Sequence, residues 1–357
     1  MNLTLPRLRG IAVTLATVAL VTACSSGATT APASAAPVSA APASAAALAL
    51  PLNKACNADC RAALALKADP ASVSCKVGLS WSTTSFSYGA DTLTDTKSYF
   101  EQYFPKMTLY EVQGQNDAAT QSGQIDELVA RGINVLIVSP VDAAAIGPAV
   151  DRAIAAGIKV IASDRNVGST GVSTYIGADN VDTGVTAGKY AVQLLSGKGN
   201  ILEISGSLGA SPTIDRAKGF RDAIAGSPGI KILDSKTGNY DQATALKVME
   251  DYLQKYGTGT FQLVFAHGDQ MALGAIQAIK EAGRQNEIKV VGVDDSGPAL
   301  AAIQAGDYAG AAAYPLTFRE HSVAAAMLCS GERVPTRIKM DSQLVTKDNA
   351  ANFLPGW

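Results

Sequence analysis

Lys159-Val160-Ile161-Ala162-Ser163-Asp164-Arg165 decides the fold of this chain. A short apolar run passes directly into a turn that carries an acid beside a base. Asn134-Val135-Leu136-Ile137-Val138 upstream has the same form and ends in Ser139-Pro140. Such near-continuous apolar strands suit a parallel sheet covered on both faces, and helical spacing separates them. The spacing predicts helices over Ala119–Arg131, stopped by Gly132, and over Ala144–Ala156, stopped by Gly157. Earlier strands are expected over Val77–Ser80 and Thr108–Gln113, with helical spacing over Asp95–Phe104 between them.

The pattern then starts again beyond residue 179. Strands are expected over residues 200–204, 231–234, 262–266, 289–293 and 308–314. Helices are expected over 213–225, 243–256, 271–282, 298–305 and 319–330. This second pass ends in Val293-Asp294-Asp295, the counterpart of Ser163-Asp164-Arg165. Two similar α/β halves with parallel sheets follow from this duplication. Ligands on such sheets bind beyond the carboxyl ends of the strands. The turns after residues 80, 138, 162, 204, 266 and 293 are therefore the ones to inspect.

The chain has 357 residues, 47% of them hydrophobic and 17% charged, with a formal net charge of −2. That length is enough for two domains of ordinary size. There is no basic excess to neutralise phosphates, so nucleic acid is not expected as a partner. Catalytic signatures are missing as well. The two histidines, His267 and His321, belong to no HExxH, no GxSxG is present, and Gly197-Lys198-Gly199 does not complete a phosphate loop. No enzyme, cofactor or metal is expected. An exported glycosidase that uses Asp164 and Asp294 as an acid pair is the enzymatic alternative.

Arg7 and Arg9 precede the apolar run Ile11–Val21, which is shorter than a bilayer span. Val21-Thr22-Ala23-Cys24 resembles the lipobox of bacterial lipoproteins. The resemblance implies a signal segment over residues 1–23, lipid on Cys24, and an extracytoplasmic, membrane-anchored location. Residues 24–75 comprise an uncharged Ala/Pro/Ser-rich spacer and a cysteine-containing lead-in. Cys56, Cys60, Cys75 and Cys329 remain; export makes disulfides plausible, and three full pairings are open.

Three stretches resemble periplasmic binding proteins of the ribose/galactose type, which serve ABC sugar importers. The first joins Gly132-Ile133-Asn134-Val135-Leu136-Ile137-Val138-Ser139-Pro140 to the opening stretch. The second is Ala210-Ser211-Pro212-Thr213-Ile214-Asp215-Arg216-Ala217-Lys218-Gly219-Phe220. The third is Phe265-Ala266-His267-Gly268-Asp269-Gln270-Met271-Ala272-Leu273-Gly274-Ala275-Ile276. The resemblance covers roughly residues 76 to 345. It implies the type I fold: two Rossmann-like lobes with parallel sheets, joined by a three-segment hinge. The first lobe would take residues 76–178 plus 315–341, and the second 179–314 plus 342–357.

The same resemblance implies a monosaccharide or polyol as ligand, an ABC permease as partner, and a monomer. Asp164 and Asp294 would accept hydroxyl hydrogen bonds, and Arg165 and Arg216 would donate them. Tyr88 would stack on the C–H face of a sugar ring. Phe86, Tyr240 and Tyr314 occupy neighbouring site positions, and Ser139 would offer a weaker contact. Gly268 stands where the family usually has an amide, and Val293 replaces an aromatic found in ribose binders. Ile214-Asp215-Arg216 looks more like the galactofuranose-type binders. These departures point away from ribose, toward a larger or differently oriented sugar or a polyol. A sensory receptor that presents a sugar to a membrane kinase, and a nucleoside binder, are the remaining alternatives.

Overall fold

The computed structural model describes residues 50–353. The expected signal segment, Cys24 and most of the spacer lie outside the described residues, as do residues 354–357. After a short helix α1 (Ala58–Ala63), five strands alternate with helices in the first lobe. They are β1 (Lys76–Trp81), α2 (Ser87–Tyr103), β2 (Thr108–Gln113), α3 (Ala118–Ala130), β3 (Val135–Ser139), α4 (Ala143–Ala155), β4 (Lys159–Ser163) and β5 (Thr174–Ala178).

The second lobe continues with α5 (Asn180–Leu194), β6 (Lys198–Ser205), α6 (Ser211–Ile224), β7 (Gly229–Thr237), α7 (Gln242–Lys255) and β8 (Leu263–Ala266). It goes on through α8 (Asp269–Glu281), β9 (Lys289–Val293), α9 (Gly297–Ala305) and β10 (Gly310–Ala312). The chain then returns through α10 (Phe318–Cys329) and β11 (Arg337–Met340) and ends with β12 (Leu344–Thr346).

The sheet orders are β11-β5-β4-β3-β1-β2 and β12-β10-β9-β8-β6-β7. All their pairings are parallel except β10 with β12. The chain passes between the sheets three times: between β5 and α5, over residues 313–317, and between β11 and β12. Both lobes are α/β units with a mostly parallel sheet, as the duplicated pattern predicts.

Burial accounts for the strand composition. Every residue of β3 and β8 is buried, because helices cover both faces of these central strands. In the first sheet Ile125, Leu128, Val138, Ile146 and Val160 fill one face. Leu79, Phe100, Phe104, Ile137, Ile161 and Val323 fill the other. The edge strands β2 and β7 instead carry mostly exposed and part-buried residues.

Acidic caps set several helix starts. Asp117, Asp142 and Asp241 accept from the backbone N–H of Thr120, Ala145 and Thr244 at 2.7–2.8 Å. A cap of this kind stabilises its helix by about 1 kcal/mol. The cysteines pair as Cys56–Cys60 and Cys75–Cys329. The second bridge ties the residue before β1 to the end of α10.

Candidate functional site

The turns after β1, β4, β7, β8 and β9 converge between the lobes. They line a cleft between the two lobes. Phe86, Tyr88, Asp164 and Arg165 reach it from the first lobe. Arg216, Tyr240 and Asp294 reach it from the second, and Tyr314 from the middle crossing. Eight of the nine expected site residues thus share one cavity. Ser139 does not line it; it sits behind Asp164, and its Oγ donates to Asp164 Oδ2 at 3.2 Å.

Backbone strain singles out the same place. Among the described residues seven non-glycine residues have positive φ, and three of them line this cleft: Asp164 at 67°, Tyr240 at 58° and Asp294 at 77°. Each costs of order 1 kcal/mol or more, so surrounding structure must hold it. The hold is similar in the two lobes. Asp164 N–H donates to Ile176 O, and Asp294 N–H donates to Ala312 O, both at 2.9 Å. Each bond ties the acid to the neighbouring strand of its own sheet, and both acids line the cleft.

The charges are buried and mutually arranged. Arg165 Nε lies 3.7 Å from Asp164 Oδ2. Its Nη1 donates to Pro140 O at 3.1 Å, while buried Nε has no hydrogen-bond partner. Arg216 comes from α6 and is 3% exposed. Its Nε donates to Asn180 Oδ1 at 2.9 Å, its Nη1 donates to His267 O, and its Nη2 lies 3.5 Å from Asp294 Oδ1.

Burial raises the Asp164 carboxyl above the usual range, although Arg165 and Arg216 pull it back. Burial pushes Asp294 up to about 7; Arg216 opposes this, while the nearby Asp269 and Asp164 carboxylates reinforce it.

Aromatic rings form the walls. Tyr88 OH donates to Pro315 O at 3.1 Å, and Tyr240 OH pairs with Thr213 Oγ1 at 3.0 Å. Tyr314 OH accepts from Asn180 Nδ2 at 3.1 Å. With these hydroxyls engaged elsewhere, the rings offer apolar faces to the cavity. Arg216 lies 4.5 Å from the Tyr314 ring centroid, and Arg165 5.6 Å from that of Tyr240.

The lobes are closed over this space. Asn166 N–H donates to Ser211 Oγ at 2.9 Å, and Ala143 N–H donates to Gly209 O at 3.4 Å. Both bonds cross from the first lobe to the second.

Ser87, Pro212, Gly268, Asp269 and Gln270 also line the cavity. Asp269 is the one that sequence reasoning should have found, because it lies inside the third motif. Its Oδ2 accepts from Ser296 N–H at 3.1 Å and its Oδ1 from Gln270 N–H at 2.7 Å. Neither histidine lines the cavity. His267 Nε2 meets Glu203 Oε1 at 3.0 Å, and His321 is held between Ser163 Oγ and Thr96 Oγ1, each at 2.9 Å.

Comparison with known proteins agrees with this geometry. The sequence profile of the periplasmic binding protein domain matches residues 77–329. A xylitol-binding protein of Mycolicibacterium smegmatis is 34% identical over 236 residues, 66% of this chain and 67% of the relative. A ribose import binding protein of Bacillus subtilis is 36% identical over 54% of this chain. The match spans 61% of that relative's length. The structure of an ABC transporter solute binding protein from Mycobacterium smegmatis with bound glycerol superposes with a TM-score of 0.73. It is 34% identical and covers 78% of this chain and 96% of that one. Family members of this kind are binding proteins rather than enzymes. A cleft built from two matching α/β lobes, together with a profile match over most of the chain, shows that this protein belongs to the periplasmic binding protein family, whose relatives take sugars and polyols.

Proposed function

We propose that this chain captures a monosaccharide or polyol between its lobes outside the cytoplasmic membrane and delivers it to an ABC permease, anchored by lipid on Cys24. One observation carries the reading. Two strained aspartate turns, one per lobe, aim carboxylates into a single aromatic-walled cleft together with two buried arginines.

In this reading Asp164 and Asp294 accept from ligand hydroxyls, and Arg165 and Arg216 donate to ligand oxygens. Phe86, Tyr88, Tyr240 and Tyr314 pack against C–H faces. Ser139 acts through Asp164. A hydrogen bond to a charged group contributes about 1.5–3 kcal/mol. Four to six of them plus a stacked ring reach micromolar affinity, about −8 kcal/mol, once ordering costs are met. Wrong stereoisomers leave buried charges unpaired and are rejected.

Calorimetric titration against pentoses, hexoses, furanose-forming sugars and polyols tests the ligand class. At least one saturable isotherm is expected, and none across the panel would overturn it. Uptake of the best binder should fall in cells that lack this chain; unchanged uptake removes the transport role and leaves a sensory one. Mass spectrometry of the mature N-terminus should find a diacylglyceryl adduct on Cys24.

A further inference from the structure

Residues 50–57, which lead into the first lobe, run along the hinge. Asn53, Ala55 and Cys56 are at most 1% exposed. Asn53 Nδ2 donates to Leu316 O at 3.1 Å, inside the middle crossing. Its own N–H donates to Glu320 Oε1 at 2.6 Å, at the start of α10, and its O accepts from Arg61 Nη2 at 2.9 Å.

The third crossing is held by the same segment. Asp341 N–H donates to Ala55 O at 2.8 Å, and Asn57 Nδ2 donates to Asp341 Oδ1 at 2.8 Å. Asn57 Oδ1 also accepts from Cys60 N–H at 3.0 Å, and Cys56–Cys60 closes the turn. Tyr99 OH secures the start of the segment by donating to Pro51 O at 3.0 Å.

Two of the three crossings are thus pinned where they leave the first lobe. Leu316 lies next to Pro315, whose carbonyl accepts from Tyr88, and two residues from Tyr314 in the cleft wall. A hinge opens through a few residues that absorb the change in φ and ψ. Fixing Leu316 and Asp341 confines that change to the second-lobe side of each crossing, where Ala313 N–H donates to Gln343 O at 2.8 Å and Tyr314 N–H to Asp295 Oδ1 at 3.2 Å.

We propose that residues 50–61 form a hinge clamp, with Asn53 as its positioning residue, that limits how far the lobes open. By holding the first-lobe ends of two crossings the clamp narrows the range of interlobe angles that the ligand-free protein samples. The inference does not depend on which solute fills the cleft.

Small-angle scattering and amide exchange on the full ligand-free chain test it. Asn53→Ala and Asn57→Ala should both increase the radius of gyration. Both should also speed exchange of the Asp341 amide at least tenfold, with the amides of β3 and β8 unchanged. Asn53→Ala should have the larger effect. A lower melting temperature with unchanged scattering and unchanged hinge exchange in both variants would show a packing role only and overturn the clamp. If Asn53→Ala does not fold, Asn57→Ala, at the rim of the segment, decides by the same criteria. Because neither readout needs a solute, this result is separable from failure to find a ligand.

Discussion

Asp164 and Asp294 occupy matching turns in the two lobes, yet their electrostatic surroundings differ. Both follow a buried strand, both have left-handed backbone, and both are tied to the next strand by an N–H···O bond of 2.9 Å. Asp164 finds its counter-charge in the next residue, Arg165, and a second support in Ser139. Asp294 depends on Arg216, which arrives from α6, and it faces a second acid, Asp269. The first turn carries its nearest counter-ion within itself, and Arg216 adds to it. The second is assembled from three elements, and its carboxyl is pushed up to about 7. Duplicated backbone geometry therefore does not duplicate charge; the elements that supply the counter-ion decide which half responds to pH.

The largest effect should come from removing the counter-charge of the second turn. Arg216→Ala leaves Asp294 buried without its cation and breaks the bonds to Asn180 and His267. Losing one partner of a buried pair costs about 3–5 kcal/mol. Arg216→Lys keeps the charge and loses the fork. Isothermal titration of Arg216→Lys with the best panel sugar should show at least a hundredfold loss of affinity. Near-wild-type binding would mean that charge alone matters there.

A smaller effect separates the two acids by pH. Because burial raises Asp294, the ligand-free fold retains its proton between the ordinary carboxylate range and about 7. Its contribution to fold stability is full below that range and is lost as pH rises through 7. Ligand hydroxyls that donate to the carboxylate favour the ionised form, so binding releases this proton. Affinity should then fall up to about tenfold per pH unit below 7. Asp294→Asn should flatten that profile while lowering affinity at pH 8. An unchanged slope in the variant would place the titration elsewhere.

Gly268 sharpens the same contrast by several-fold changes. A Cβ at this position would lie 3.0 Å from Asp294 Oδ2 and 3.2 Å from Tyr240 Cδ1. The bare backbone lets the ring and the acid come together. Gly268→Asn should restore an amide but displace both neighbours, and should lower affinity for the best panel sugar about threefold to tenfold, read by titration. Tighter binding would show instead that the cleft has unused room.

The sequence made the sheet strands with apolar runs and the acid turns legible, because strands buried on both faces advertise themselves. It hid β5 and α5. Thr174-Tyr175-Ile176-Gly177-Ala178 is short and broken by glycine, and α5 carries Val181, Thr183, Gly184, Val185, Thr186 and Gly188, poor helix formers. Tertiary packing overrides that propensity. A Cβ on Gly184 would lie 2.3 Å from Arg216 O, and one on Gly188 2.7 Å from Ala223 Cβ, so α5 and α6 approach through their backbones.

Helix α2 likewise begins at Ser87 rather than Asp95, since Gly89 sits against the Thr83 carbonyl, where a Cβ would clash at 2.2 Å. Among the residues that line the cleft, Asp164, Arg165 and Arg216 are legible because they lie inside the motifs. Asp269 was not singled out, because an acid at the first residue of a helix reads equally as a capping group.

Ser139 gives the smallest predicted effect and the finest test of the contrast between the turns. A weak ligand contact is the expectation for Ser139, and its Oγ donates to Asp164 Oδ2 at 3.2 Å from full burial. That bond favours the charged carboxylate and adds to what Arg165 already supplies. Ser139→Ala removes one hydrogen bond worth about 1 kcal/mol and leaves the cavity wall intact. Affinity for the best panel sugar should drop about fivefold, with the same rank order of sugars. If Ser139 met the ligand directly, the rank order would change, because one hydroxyl position would lose its partner. An Asp294→Asn background should change the Ser139→Ala loss only slightly, since the Ser139 hydroxyl bonds Asp164 and the two acids are linked through charge. Strong coupling between the two substitutions would instead show that Asp164 and Asp294 share a ligand group across the closed cleft.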